Sequence, residues 1–264
     1  MRAQMKRNIL LGMPTLIELG DMDKNIDFCR SLNLDLLELN MNLPYLQVGD
    51  LRKIDFPDDL KFSIHLPEEF NAWDFNPKVR EAYLQTIIET MELARVNNIK
   101  VLNMHMNTGV YFTLPDRKVF LFEENKDFYQ EKTREFRSLA EKHLKGSDAK
   151  IYLENTGILD IPFIQDAVSC LLACDCFALT WDIGHDASSG YRDSAFYKAN
   201  IAKVNHLHVH DAVGPSNHLP LGEGEIDLDD IFSAAGGYAD SIILETKTCE
   251  GLKKSADYFR KKYC

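Results

Sequence analysis

The chain has 264 residues, 45% of them hydrophobic, and a formal net charge of −11 at pH 7. This length suits one large domain, since barrels of about 250 residues commonly form a single domain, and we predict one domain over residues 1–264. The acidic balance disfavours nucleic-acid binding through a broad basic surface, because neutralising phosphates requires clustered Lys and Arg. No stretch approaches the ~20 apolar residues of a membrane span, and the first apolar run is too short for a signal peptide. We therefore expect a cytoplasmic protein without a membrane partner.

Eight short β-rich runs recur along the chain, and a turn and a helical pattern follow them. In chain order they span residues 9–13, 36–40, 62–66, 101–106, 151–155, 178–183, 204–210 and 241–246. Repeated βα units indicate a parallel sheet, and most of the runs are continuously apolar, as in strands buried on both faces. Eight such units predict an α/β fold, the (β/α)₈ TIM barrel with an outer ring of helices.

The segments between the runs carry helical patterns and one long insert. An apolar face with helical spacing runs from Val79 to Val96, and Asp160 before Pro162 resembles a helix start. The insert from Thr108 to Asn125 is rich in Phe and Tyr, so it could form a lid over a pocket. An open doubly wound sheet is the alternative fold, but its nucleotide-binding version needs a glycine-rich turn, GxGxxG or GxxxxGK[ST], that this sequence lacks.

Ionisable residues stand at the ends of six successive runs. They are His65, His105, Glu154, Asp182 with His185, His208 with His210, and Glu245. Parallel barrel enzymes have their active sites at the carboxyl ends of the strands. Buried charges are costly unless they are compensated, so this regular recurrence indicates one shared site.

Imidazole and carboxylate groups together suit a divalent cation, with Mn²⁺, Zn²⁺, Co²⁺, Fe²⁺ or Mg²⁺ as candidates. His206, His208 and His210 alternate along one strand, so all three project to the same side at different depths. We choose His208 as the ligand, with His206 deeper and His210 at the rim as a partner of a ligand. His143 on a helix, and the cysteines near residue 174, are better explained as ordinary packed residues.

Several motifs resemble the xylose isomerase-like barrel superfamily, which contains sugar isomerases and epimerases, inositol-catabolism enzymes and endonuclease IV. The resemblance covers nearly the whole chain. It lies in SIHLP, NMHMNTG, YLENTG, WDIGHDASSGY, HLHVHDAVGPSNHLPLGEGEID and IILET. The most specific part is LxLGxGxID with an upstream His, followed by ILET.

The resemblance implies two ligand sets of different size. Endonuclease IV has nine protein ligands, and eight of those positions match here: His65, His105, Glu154, Asp182, His185, His208, His218 and Glu245. The ninth, an Asp in that enzyme, is Ser216, which argues against a third metal. The single-metal epimerases of the superfamily imply the smaller set, Glu154, Asp182, His208 and Glu245, which is complete.

The same resemblance implies a divalent-metal-dependent isomerisation or epimerisation of a sugar, sugar phosphate or cyclitol through a metal-stabilised enediolate. Glu154 and Glu245 would be the acid and base as well as metal ligands, and His185 would orient the substrate. His65, Trp73 and Lys247 are further predicted substrate contacts. For the loop aromatics Trp73, Tyr111 and Phe112, packing back onto the helices is the alternative.

The rival from a different class is an abasic-site phosphodiesterase with a reduced metal cluster, which the extra ligands His65, His105 and His218 favour. Ser216 stands against it, and so do Glu68, Glu69 and Asp74, which would repel a DNA backbone. A carbohydrate-binding barrel without activity is the third reading, although two intact glutamates disfavour it. The expected partner is a small sugar or polyol substrate. The resemblance also implies that the chain forms a homo-oligomer.

Overall fold

Eight parallel strands form a closed barrel in the computed structural model, which describes residues 9–264. They are Leu10–Pro14, Leu36–Asn40, Lys61–His65, Val101–His105, Lys150–Glu154, Phe177–Asp182, Val204–Val209 and Ser241–Leu244. Each strand pairs with its neighbours in chain order, and the eighth closes the ring on the first, with Leu10 opposite Ser241. The predicted TIM barrel is confirmed, and the eight predicted runs coincide with the eight strands.

Helices surround the barrel. The α-helices are Met22–Ser31, Val48–Leu51, Pro77–Val96, Leu121–Glu124, Lys126–Leu144, Pro162–Leu172, Ile183–Ser188, Ser194–Ala199, Leu228–Ala235 and Cys249–Tyr263, and 3₁₀ turns span Ile17–Leu19 and Ile201–Lys203. Within residues 9–264, none of them is both long and apolar enough to cross a membrane. Residues 1–8 lie outside the described residues. The predicted absence of a signal peptide and the predicted start of the domain at residue 1 concern that segment in part.

Local sequence explains where two of these helices begin. The helix predicted from Val79 starts at Pro77, because the Asn76 side chain accepts a hydrogen bond from the Lys78 N–H and proline suits the first turn. The helix expected after Asp160 starts at Pro162 without a side-chain cap. Asp160 instead forms a two-pronged ion pair with Arg192, at 2.8 and 2.9 Å.

Two antiparallel hairpins extend the loops between strands and helices. Tyr111–Thr113 pairs with Lys118–Phe120 inside the predicted lid segment, where Phe112 is 58% exposed. Asp211–Val213 pairs with Ser216–Leu219 after the seventh strand. The second hairpin brings His218 back beside the end of that strand, where the polar strand ends meet.

The middle of the barrel interior is polar. Hydrogen bonds there join strands that are not neighbours, for example Thr180 on the sixth strand to Asn103 on the fourth, at 2.6 Å. Since such contacts can only cross the interior, the apolar core lies mainly between the strands and the helices. This polar layer supports the strand-end residues from below.

Candidate active site

Four of the predicted strand-end residues converge on one point at the carboxyl end of the barrel. One ligand atom from each of them lies within 4.8 Å of the other three, and all four side chains are buried: Glu154, Asp182, His208 and Glu245. They come from the fifth, sixth and seventh strands and from the residue after the eighth. Parallel strands bring these distant positions together because their carboxyl ends share one face of the barrel.

The geometry of this set fits a divalent cation. Nδ1 of His208 lies 3.0 Å from Oε2 of Glu245 and 3.3 Å from Oε1 of Glu154, and it lies 4.0 Å from Oδ2 of Asp182. None of the first three atoms makes a hydrogen bond, although all are buried. Ligands at ~2.1 Å from a tetrahedral ion lie roughly 3.4 Å apart, so these unpaired atoms fit the residues of a metal site.

The electrostatics of the set also call for a cation. Burial by itself would raise the pKa of Glu154, but charges on His208 and His105 outweigh it, and the pKa lies well below its usual value. Burial likewise opposes ionisation of Glu245, whose pKa Lys247 and His208 hold well below the ordinary range. Burial would lower the pKa of His208, yet the surrounding carboxylates raise it well above normal. Several carboxylates around one imidazole leave an excess of negative charge that a divalent ion would compensate.

Hydrogen bonds fix Asp182 in place. Its Oδ1 accepts from the His185 backbone N–H at 2.6 Å, and its backbone N–H donates to Asn155 at 2.8 Å. Nε2 of His210 lies 3.0 Å from Oδ1, while Nδ1 of His210 accepts from the His218 backbone N–H at 2.8 Å. His210 therefore carries its proton on Nε2 and donates to Asp182, as expected for a partner of a ligand.

A second group of potential ligands shares Glu154. Nε2 of His65 and Nε2 of His105 lie 3.3 and 3.2 Å from its Oε2, the oxygen that Asn103 also contacts. Nδ1 of His65 donates to the Leu66 carbonyl at 2.8 Å, so the lone pair of the neutral ring is on Nε2. The structure thus brings His65 and His105 together with Glu154.

His185 and His218 lie nearer the mouth of the barrel. Nδ1 of His185 is 3.3 Å from Oδ2 of Asp182 and 3.7 Å from Oε1 of Glu154. Nδ1 of His218 donates to the Glu245 carbonyl at 3.0 Å, and burial lowers the pKa of His218 to about 4. Ser216 is exposed at the start of its hairpin strand and carries no carboxylate for a third ion.

Lys247 lies beside Glu245. Its ammonium forms an ion pair with Oε1 of Glu245, while 45% of the side chain stays exposed. Burial would lower the pKa of Lys247, but the charge of Glu245 raises it. The lysine remains charged beside one of the two glutamates.

The predicted substrate contact by Trp73 is wrong. The indole is fully buried, its Nε1–H donates to the Thr133 hydroxyl at 2.9 Å, and the ring packs against Tyr129 and Phe136. The loop after the third strand folds back onto the helix Lys126–Leu144. Trp73 is therefore a packing residue.

Two buried polar residues near the four-residue set were not identified from the sequence. Glu38 on the second strand reaches His208 across the barrel, and Asn103 on the fourth strand contacts Glu154. For Glu38 a signal was available, since LLELN carries a carboxylate in the middle of an apolar strand. Asn103, in VLNMH, gives the weaker signal of an uncharged amide.

Known proteins with a similar sequence or fold cover most of the chain. The uncharacterized protein MJ1188 of Methanocaldococcus jannaschii is 25% identical over 234 residues, which is 84% of this chain and 80% of that protein. A D-tagatose 3-epimerase-like protein is 20% identical with a TM-score of 0.72, covering 96% of this chain and 97% of its own. The IOLI protein with a bound zinc atom is 17% identical with a TM-score of 0.69, covering 97% and 95%.

At such low identities, the similar structures establish the fold alone. The family model described as xylose isomerase-like TIM barrel matches residues 22–262, from the first helix to the last. The matched range includes the whole constellation from His65 to Glu245. The chain belongs to the xylose isomerase-like TIM barrel family.

Proposed function

We propose that the protein is a divalent-metal-dependent isomerase or epimerase of a sugar, a sugar phosphate or a cyclitol. The observation that carries the proposal is the buried set Glu154, Asp182, His208 and Glu245, in which unpaired ligand atoms of two glutamates and a histidine face one point. The similar structures named a D-tagatose 3-epimerase-like protein and a zinc-binding IOLI protein support it. Mn²⁺, Zn²⁺, Co²⁺ and Mg²⁺ are the candidate ions.

We assign the proton transfer to the two glutamates. A divalent cation in this set, when bound, stabilises the negative charge of the enediolate that forms when a proton leaves the carbon beside a carbonyl. Glu154 ends the fifth strand and Glu245 directly follows the eighth, so they approach the cavity from different sides. One removes the proton as a base, and the other, which must first take up a proton against its lowered pKa, returns one as an acid; exchange of these roles reverses the reaction.

Other residues hold the substrate and the glutamates. Asn103 contacts Oε2 of Glu154, which leaves Oε1 directed at the ligand set. His185, with about 20% of its side chain exposed, is placed to orient a substrate oxygen. Lys247 occupies Oε1 of Glu245 and is exposed enough to meet an anionic substrate group. His65 is almost fully buried, so we assign it to Glu154 more readily than to the substrate.

The test is proton exchange. Metal-loaded wild type, Glu154→Gln and Glu245→Gln are incubated with ketoses, ketose phosphates and keto-cyclitols in deuterated water, and deuterium uptake next to the carbonyl is followed. We expect each variant to lose about 10²- to 10⁴-fold in exchange rate, the usual contribution of a general acid or base. Glu223→Gln is the matched control, because Glu223 is an exposed glutamate paired with Lys254, and it should exchange at the wild-type rate.

Undiminished exchange in either site variant would remove that glutamate from the proton-transfer step. Metal content is measured on each variant, since Glu→Gln also weakens a ligand. A variant that keeps its metal and loses exchange separates the proton-transfer role from the ligand role. No exchange by the wild type with any member of the panel would sink the proposed activity.

A second candidate function is supported by the cluster of His65, His105 and Glu154, whose ligand atoms also lie within 4.8 Å of one another. Two ions sharing Glu154 would suit an abasic-site phosphodiesterase, in which metal ions activate water and hold the phosphate. The acidic chain and the carboxylates Glu68 and Glu69 oppose a DNA backbone. A nicking assay on abasic duplex, with a chelator control and a count of bound ions, separates the two functions.

A further inference from the structure

Glu38 is a buried carboxylate to which the proposed reaction assigns no role. It lies in the middle of the second strand with 1% of its surface exposed. The second and seventh strands are three positions apart around the closed barrel, yet the Glu38 side chain reaches His208 on the seventh. A carboxylate this deep needs compensation, because burying an unpaired charge is strongly unfavourable.

The contacts of Glu38 lead to one metal ligand. Both of its oxygens lie 3.3 Å from Nε2 of His208, and Oε2 accepts from the Ser63 hydroxyl at 3.3 Å. Nε2 of His206 is farther away, at 3.7 Å, and the other nitrogen of that ring lies 2.6 Å from the Ser241 hydroxyl. Among residues 9–264, no Lys or Arg forms an ion pair with Glu38, so His208 is its main polar partner.

A neutral imidazole has one N–H and one lone pair, on opposite nitrogens. The ionised carboxylate of Glu38 can only accept hydrogen bonds, so it favours the His208 tautomer with the proton on Nε2. The lone pair is then on Nδ1, the atom that faces Glu154 and Glu245 at 3.3 and 3.0 Å. In the other tautomer, the lone pair on Nε2 would face Glu38 and the Nδ1–H would point into the ligand set.

We propose that Glu38 is a positioning residue that holds His208 in the tautomer and orientation needed to bind the cation. The proposal rests on the metal centre of the proposed function and adds a carboxylate–histidine–metal chain to it. A carboxylate behind a ligating histidine also makes the ring a stronger donor, and loss of such a partner typically weakens metal affinity about 10- to 100-fold. Glu38 does not itself touch the substrate or the ion.

The test measures Zn²⁺ affinity by competition with a chromophoric chelator in wild type, Glu38→Gln and Ser63→Ala. Glu38→Gln keeps the shape of the side chain and removes its charge, and we expect Zn²⁺ to bind about 10- to 100-fold more weakly. Ser63→Ala is the matched control, because it removes another hydrogen bond to the same carboxylate while leaving the His208 contact. It should bind Zn²⁺ as the wild type does.

Nitrogen-15 NMR of the histidine rings supplies a readout that a merely structural role would not move. In Zn²⁺-loaded wild type, we expect the His208 proton on Nε2, in a hydrogen bond to Glu38 that Glu38→Gln weakens and that the Nε2 nitrogen-15 shift reports. A His208 proton on Nδ1 in the wild type would overturn the proposal even if the variant failed to fold. Wild-type Zn²⁺ affinity in Glu38→Gln would do the same, and so would a second Zn²⁺ held between Glu38 and His206.

Failure of this proposal and failure of the proposed function look different. Wild type that binds Zn²⁺ at the four-residue set but catalyses no exchange would sink the isomerase and leave Glu38 in its role. Glu38→Gln that binds Zn²⁺ normally and exchanges protons would remove only Glu38. Wild type that binds no divalent ion would overturn both.

Discussion

Gly184 lies between two site residues, Asp182 and His185, in a position that leaves no room for a side chain. A β-carbon there would lie 2.6 Å from Nε2 of His210 and closer still to Cε1 and Nδ1 of that ring. The ring is fully buried, so it has no solvent to move into. Since non-bonded atoms need roughly 3.5–4.0 Å, Gly184→Ala must displace the His210 ring by about 1–2 Å.

The displacement breaks a hydrogen-bond chain. The His210 ring donates to Asp182 at 3.0 Å and accepts from the His218 backbone N–H at 2.8 Å. Overpacking typically costs about 1–3 kcal/mol, and a buried polar group left unpaired costs about 1–3 kcal/mol more. We therefore expect Gly184→Ala to lower the free energy of unfolding by about 2–6 kcal/mol and to weaken metal binding, because Asp182 loses its orienting partner.

Urea unfolding of metal-free protein measures the first effect, and chelator competition measures the second. Gly49→Ala is the matched control, because no atom lies within 4 Å of its added β-carbon and the residue is in the helix Val48–Leu51. That variant should be as stable as the wild type or up to about 1 kcal/mol more stable. Gly184→Ala with wild-type stability and metal affinity would refute the tight packing of His210 behind Asp182.

Three further predictions concern pH, packing and metal. The pKa of His218 is lowered to about 4 in the fold, against about 6.5 unfolded, so its stabilising contribution is present above pH 6.5 and is lost as the pH falls toward 4. In metal-free protein, His218→Gln should therefore flatten the loss of stability between pH 7 and pH 4.5 by about 1–3 kcal/mol in urea unfolding, and an unchanged slope would contradict the burial of a neutral ring. Trp73→Phe should lower the free energy of unfolding by about 1–2 kcal/mol, through the lost bond to Thr133, with KM unchanged, and a raised KM would restore Trp73 as a substrate contact. Zn²⁺ or Mn²⁺ at a hundred times its Kd should stabilise chelator-treated protein by about 2.7 kcal/mol, and a thermal midpoint that does not respond would argue against the cation site.

The barrel and most of its polar end could be predicted from the sequence because the information is local and periodic. Each strand is a short apolar run bounded by turns, and its last residues are polar where the active-site face begins. Parallel topology places all such ends on one face, so Glu154, Asp182, His208 and Glu245 could be grouped without coordinates. The choice of His208 among three alternating histidines remains a prediction that the distances around its Nδ1 support.

Tertiary structure decided what depends on packing across the barrel. The indole of Trp73 could have faced a cavity or the helices, and only the fold shows that it turns inward, where it bonds Thr133, 60 residues along the chain, and packs against Tyr129 and Phe136. In the sequence, Glu38 is a single carboxylate in an apolar strand. Its partner His208 comes 170 residues later. The tautomer of His208 follows from that contact. The sequence specifies which groups are present, but only the folded barrel specifies which nitrogen faces the Glu38 carboxylate and which faces the ligand set.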